Sequence, residues 1–255
     1  APSARLQVIH NAADPAASEV DVYVNGDLLL DDFAFRAATP YIDVPAGIEL
    51  VIGVAPGTST GPGDIIATFP VTLAVNETYA VVANGVLDPT GFEANPDGRS
   101  IGFTLFTKAG AREAAYNPSE VDFFALHGST DAPTVDVIAR DVATLVDDAA
   151  YGDMTGYLSV PPASYILDVT PGSDNSTIVA SFEADLSGLA GGAAVVFASG
   201  FLTPADDQDG AAFGLFAALP NGTVVEFPLL TTSRLQVIHN AADPAASEVD
   251  VYVNG

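Results

Sequence analysis

Three histidines stand at matching places in this chain, and each is followed at similar spacing by an aspartate: His10 with Asp21, His127 with Asp136, His239 with Asp250. An imidazole beside a carboxylate can serve as a general base with its orienting partner. The same pair can be a charge-assisted hydrogen bond that ties neighbouring strands. No serine or second acid recurs beside both pairs, and the pair is copied with every repeat, so the spacing points to the structural role. Acidic loops are the other group with chemistry to offer. Asp206-Asp207-Gln208-Asp209-Gly210 and Asn95-Pro96-Asp97-Gly98 follow matching strands. Calcium takes about six to eight oxygen ligands. Asp206, Asp207 and Asp209 are therefore candidates for a structural calcium ion only, because the upstream spacing and the later glutamate of an EF-hand loop are missing. Asp31-Asp32 and Asp147-Asp148 form a second paired set, expected to be solvated surface in so acidic a chain. Gly188 to Gly192 lacks the lysine and following helix of a phosphate loop. No catalytic residue is assigned, no cofactor beyond that ion is expected, and the chain reads as a non-enzyme.

The elements that carry these residues are repeated. RLQVIHNAADPAASEVDVYVNG at 5–26 returns without a mismatch at 234–255. Packing tolerates conservative apolar swaps, so a shared fold alone would not demand such identity. A fainter repeat lies inside the first: VIHNAADPAASEVDVYV (8–24) matches ALHGSTDAPTVDVIA (125–139), and AVVANGVLDP (80–89) matches VVFASGFLTP (195–204). Self-similarity of this kind predicts domains at 1–117 and 118–233, with 234–255 a copy of the first domain's start.

Composition narrows the function classes. The 255 residues hold 33 acidic against 7 basic side chains, a net charge of −26, and no cysteine. Nucleic acid binding needs Lys and Arg to displace counterions, and anionic membrane surfaces disfavour such a chain for the same reason. No apolar run approaches the ~20 residues of a membrane span. Disulfides and thiolate metal sites are excluded. Apolar residues make up 49% of the chain, a surplus that predicts buried contacts between domains or between chains.

Short Val/Ile/Phe/Tyr-rich runs broken by Gly, Pro, Asn and Asp predict seven strands per domain. In EVDVYVNG, Val20, Val22 and Val24 alternate with Asp21 and Tyr23, and Asn25-Gly26 supplies a tight turn. Residues 109–115 could form a turn or two of helix, and 141–150 a short helical or irregular excursion. The expected fold is all-β, a tandem pair of antiparallel, immunoglobulin-like β-sandwiches.

The opening VIHNAADPAASEVDVYVNG, the Tyr41 to Pro45-Ala46-Gly47 step and the Tyr79-Ala-Val-Val-Ala-Asn-Gly strand resemble the bacterial domain-of-unknown-function family 4397. The resemblance implies repeated β-sandwich modules on secreted or surface proteins. The second domain departs from it at Gly128-Ser129-Thr130 and Gly191-Gly192-Ala193. Taken with the repeat, it predicts a structural unit of an extracellular filament or adhesin stalk, whose partners are copies of itself in a linear array. Val8, Val20, Val22 and Val24 are the expected packing set, and their copies Val237, Val249, Val251 and Val253 would engage a neighbouring sheet, through covalent repetition or strand donation. The rival reading is a module that binds surface glycans, with Tyr116 and Tyr151 as its exposed aromatic candidates.

Overall fold

A computed structural model of the chain describes residues 2–231, 237–240, 242–246 and 248–251. The first half builds β1 (Ser3–Asn11), β2 (Glu19–Val24), β3 (Asp27–Ala34), β4 (Ile42–Pro45), β5 (Glu49–Pro56), β6 (Ala67–Thr72), β7 (Thr78–Asn84) and β8 (Thr104–Ala109). The second half builds β9 (Val121–Leu126), β10 (Val135–Ala139), β11 (Ala143–Ala149), β12 (Leu158–Val160), β13 (Ser164–Pro171), β14 (Ala180–Asp185), β15 (Ala193–Ser199), β16 (Gly214–Ala218) and β17 (Val224–Phe227). Four sheets result, with strand orders β3-β2-β5-β6, β4-β1-β7-β8, β12-β9-β15-β16-β17 and β11-β10-β13-β14. Each half is thus a two-sheet sandwich, and the all-β tandem architecture stands. One pair in each half runs parallel, β1 with β7 and β9 with β15. Among the described residues there is no α-helix, and no helix long and apolar enough to cross a membrane.

Two expectations are corrected here. Residues 141–150 are not helical or irregular; they contain strand β11. Residues 109–115 form no helix but leave β8 as a link towards β9. Strand β3 was not anticipated either. Its sequence Leu28-Leu29-Leu30-Asp31-Asp32 does not alternate, because register shifts interrupt its pairing with β2 and Asp32 takes a left-handed φ of 49°. The same device recurs at Asp148, φ 50°, in β11. A bulge lets two residues face one, and a simple two-residue period then fails.

Each sandwich has a core between its own sheets. Leu6, Val8, Val44, Leu50, Leu73 and Tyr79 fill one end of the first, with Val20, Val22 and Val54 at the other. Phe123, Leu167, Val169, Phe182, Leu215 and Phe227 fill the second. A further core lies between the sandwiches: Ile9, Tyr41, Ala80 and Val82 from the first pack on Phe124, Leu126, Val195, Phe197 and Phe216 from the second. The sheets holding β1 and β7, and β9 and β15, are therefore buried on both faces. That explains the nearly unbroken apolar runs at 79–83 and 193–198, the pattern of strands with no wet side. The apolar surplus is spent in this seam.

After β7 and after β15 the chain crosses a bridge through a glycine. Gly85 has φ +92°, and a Cβ there would lie 2.6 Å from the carbonyl oxygens of Ile101 and Gly102. Gly200, φ +85°, meets Ala211 and Ala212 in the same way. No other residue fits so close a backbone crossing.

Candidate functional site: the seam between the sandwiches

His10 and His127 do not pair with the aspartates that follow them. His10 is fully buried; its Nε2–H donates to the Ala17 carbonyl at 2.7 Å, and its Nδ1 accepts from Ala12 N–H at 3.3 Å. His127 Nε2 likewise lies 3.0 Å from the Pro133 carbonyl. Desolvation lowers both imidazoles, His10 to about 4, so they are neutral at physiological pH. Asp21 instead accepts the Asp32 N–H at 2.9 Å, and Asp136 the Asp148 N–H at 2.6 Å. Each aspartate pins the bulge of the adjoining strand, and each histidine pins the loop after β1 or β9. Neither a base with its orienter nor a charge-assisted strand tie exists at these places.

A repeated residue with a larger task escaped the sequence reading. Asp14 and Asp131 each stand four residues beyond the histidine, and their carboxylates hold the distant crossover. Asp14 accepts from Leu87 N–H at 2.8 Å, and Asp131 from Leu202 N–H at 3.0 Å and Thr203 N–H at 2.9 Å. The signal was present in the motifs HNAAD and HGSTD.

Polar groups in the seam are paired within the first sandwich and across to the second. Asn11 Nδ2 donates to Asn84 Oδ1 at 2.6 Å and to the Ala198 carbonyl at 3.0 Å. Asn84 Nδ2 donates to the Gly128 carbonyl and the Tyr151 hydroxyl, both at 3.0 Å. Arg36 Nη2 donates to the Ala212 carbonyl at 2.7 Å, and its guanidinium lies 4.2 Å from the centre of the Phe216 ring. The differences between the two copies are complementary. Gly128 holds the position of Asn11 in the other copy, and a Cβ on it would collide with Asn11 and lie 3.0 Å from Asn84 Oδ1. Gly152 holds the position of Arg36, and a Cβ there would lie 2.9 Å from Phe106. One asparagine and one arginine fit, not two of each.

The predicted assembly residues lie in two environments. Val8, Val20 and Val22 are buried in the first sandwich, and Val24 is half-buried against the same core. Val237, Val249 and Val251 are exposed, at 56%, 51% and 59%, while Val253 lies outside the described residues. The acidic loop does not gather its carboxylates. Asp207 is fully buried with Oδ1 accepting from Glu93 N–H at 2.9 Å, whereas Asp206 and Asp209 are exposed. Three carboxylates that do approach one another are Asp21, Asp31 and Asp32, but both Asp21 oxygens are already used, by Asp32 N–H and by the Ser59 hydroxyl. Tyr151, expected exposed, is 2% exposed and lies against Phe106 in the seam. Tyr116 is 84% exposed, its ring 4.0 Å from the guanidinium of Arg112, which a 2.6 Å ion pair with the buried Asp122 fixes.

Two β-sandwiches joined through a shared apolar core define the class: a tandem β-sandwich module. The chain belongs to the DUF4397 family, a domain of unknown function, whose pattern matches residues 4–99 and 122–212. Among curated proteins none matches the chain. Similar solved structures include one described as alpha-glucan binding by a streptococcal virulence factor, 10% identical, covering 77% of this chain and 92% of that one with a TM-score of 0.23. A family 41 carbohydrate-binding module from streptococcal virulence factors is 12% identical over 77% of this chain and 93% of its own, TM-score 0.23. The Bacillus anthracis TIE protein is 11% identical over 77% of this chain and 33% of its own, TM-score 0.21. Likeness at this level carries no inference about what this chain binds.

Proposed function

We propose that the chain is a non-enzymatic structural repeat unit of an extracellular bacterial filament or adhesin stalk, in which each fused pair of sandwiches is one stiff segment. The observation that carries this is the mismatch-free return of 5–26 at 234–255, the stretch that builds β1 and β2 in the first sandwich. Strand β1 is central, paired with β4 on one side and β7 on the other. A donated copy would have to displace it from both ladders rather than add at an edge. Covalent continuation into another module meets no such obstacle and is the favoured arrangement. Small-angle scattering on chains carrying one, two and three consecutive repeats tests this. The maximum dimension should grow by a constant increment per repeat, and a dimension that stays flat overturns the reading.

A glycan-binding role has one feature in its favour, the exposed Tyr116 ring held flat on Arg112. Aromatic platforms can present a face to ligands because their conformational cost is small. Binding to a glycan array that Tyr116→Ala abolishes would promote this second reading over the first.

A further inference from the structure

The loop between β7 and β8 leaves its own sandwich and grips the other. Besides the Glu93 N–H bond to Asp207, Gln208 Nε2 donates to the Gly91 carbonyl at 3.2 Å, and Phe92 stacks on Phe201 at 5.6 Å. Asn95 Nδ2 donates to the carbonyls of Thr130 and Ala132 at 2.8 and 3.1 Å, and Thr134 N–H donates to Asp97 at 2.7 Å. At the centre of this contact Asp207 is 0% exposed, and its Oδ2 meets no donor. That carboxyl faces the carboxylate of Asp131, itself 9% exposed.

Two buried carboxylates in contact cannot both hold a charge at modest cost. Three donors already surround the Asp131 carboxylate: Ser129 Oγ, Leu202 N–H and Thr203 N–H donate to it at 3.2, 3.0 and 2.9 Å. A carboxylate offers about four lone-pair sites, so one place for a donor is left. A proton on Asp207 fills it and gives the orphaned Oδ2 a partner. A calcium ion would need about six to eight oxygens, and the N–H groups already aimed at both carboxylates oppose a cation. We infer that Asp207 and Asp131 share one proton, and that this proton fastens the 88–99 loop to the second sandwich, closing the clasp in acid and loosening it as pH rises.

The groups facing Asp207 agree in sign. Asp131 from the 129–134 loop and Glu93 from the 88–99 loop are acidic, as are Asp206 and Asp209 on its own loop, while Arg99 is engaged with Asp153 at 3.1 Å. Burial first, then these negative neighbours, hold the Asp207 carboxyl above the usual carboxylate range. With the folded value raised, the contribution is whole below about pH 4, where the unfolded chain also keeps its proton. It is lost as pH climbs through the folded value, because the unfolded chain releases its proton first.

The test uses the full chain and does not depend on the proposed assembly. Thermal unfolding midpoints are measured from about pH 4 to 8 for the unaltered protein and for Asp207→Asn, whose amide can donate to Asp131 and accept from Glu93 at any pH. The variant should match the parent in acid and exceed it progressively as pH rises; the difference between the two cancels all other titrating groups. A difference that does not change with pH overturns the shared proton, as does restoration of the parent's stability at high pH by added calcium. Should the variant fail to fold, infrared difference spectra of the parent decide: the carbonyl band of a buried protonated carboxyl must disappear on raising pH, and its absence in acid overturns the inference.

Discussion

His10 illustrates how burial sets chemistry residue by residue. With its imidazole sealed between the Ala17 carbonyl and the rings of Phe33 and Phe35, charging it would strand a cation in an apolar pocket. Its folded value of about 4 lies below the unfolded one, so its contribution is present above about pH 6.5 and is lost as pH falls towards 4. The size is on the order of 3 kcal/mol for a gap of this kind. Resonances of the His10 ring should stay in the neutral form down to about pH 4. A titration midpoint near the ordinary histidine value would sink that account. His10 thus opposes acid while the Asp131–Asp207 pair favours it. The sequence could show that a histidine and an aspartate recur together. It could not show that their side chains diverge, because bulges at Asp32 and Asp148 bring backbone donors to Asp21 and Asp136 instead.

Strands and their edges form the next scale. In the second sandwich β17 caps β16, and the chain then crosses to β14, where Glu183 N–H donates to the Pro228 carbonyl at 2.9 Å. In the first sandwich the corresponding stretch is consumed as the link to β9, and β8 and β6 are left as sheet edges. The position equivalent to Glu183 is Pro70, opposite Val51 in the β5–β6 ladder, and proline has no N–H to offer an incoming strand. Exposed edges invite pairing with other chains unless they are blunted in some such way. Replacing that block, Pro70→Glu, should raise self-association in sedimentation velocity above that of the unaltered chain. Equal sedimentation across a hundredfold concentration range would show that the proline is not what protects the edge. Alternation made β2 legible from its sequence, and the Asn25-Gly26 turn marked its end. Strands β3 and β11 were hidden by their bulges.

The two sandwiches share so much buried surface that they should not unfold separately. Phe197 is fully buried in the seam and stacks on Phe216 with ring centres 5.8 Å apart. Truncating a buried phenylalanine costs about 3–5 kcal/mol. Calorimetry on the unaltered chain should therefore give one cooperative transition, and Phe197→Ala should lower it and split it in two. Two separate transitions in the parent would mean that the seam does not couple the halves. The seam was only half legible. An excess of apolar residues announced buried contacts, but a strand covered on both faces reads the same whichever body covers it.

The unequal pair Asn11 and Gly128 has a consequence for a polymer. The copy at 234–255 carries Asn240 where the first carries Asn11. Two asparagine-bearing modules cannot mate, because each would thrust an amide into the hollow that only a missing side chain provides. In the proposed array, seam partners would therefore alternate in kind. Such a parity would keep each module beside an unlike neighbour.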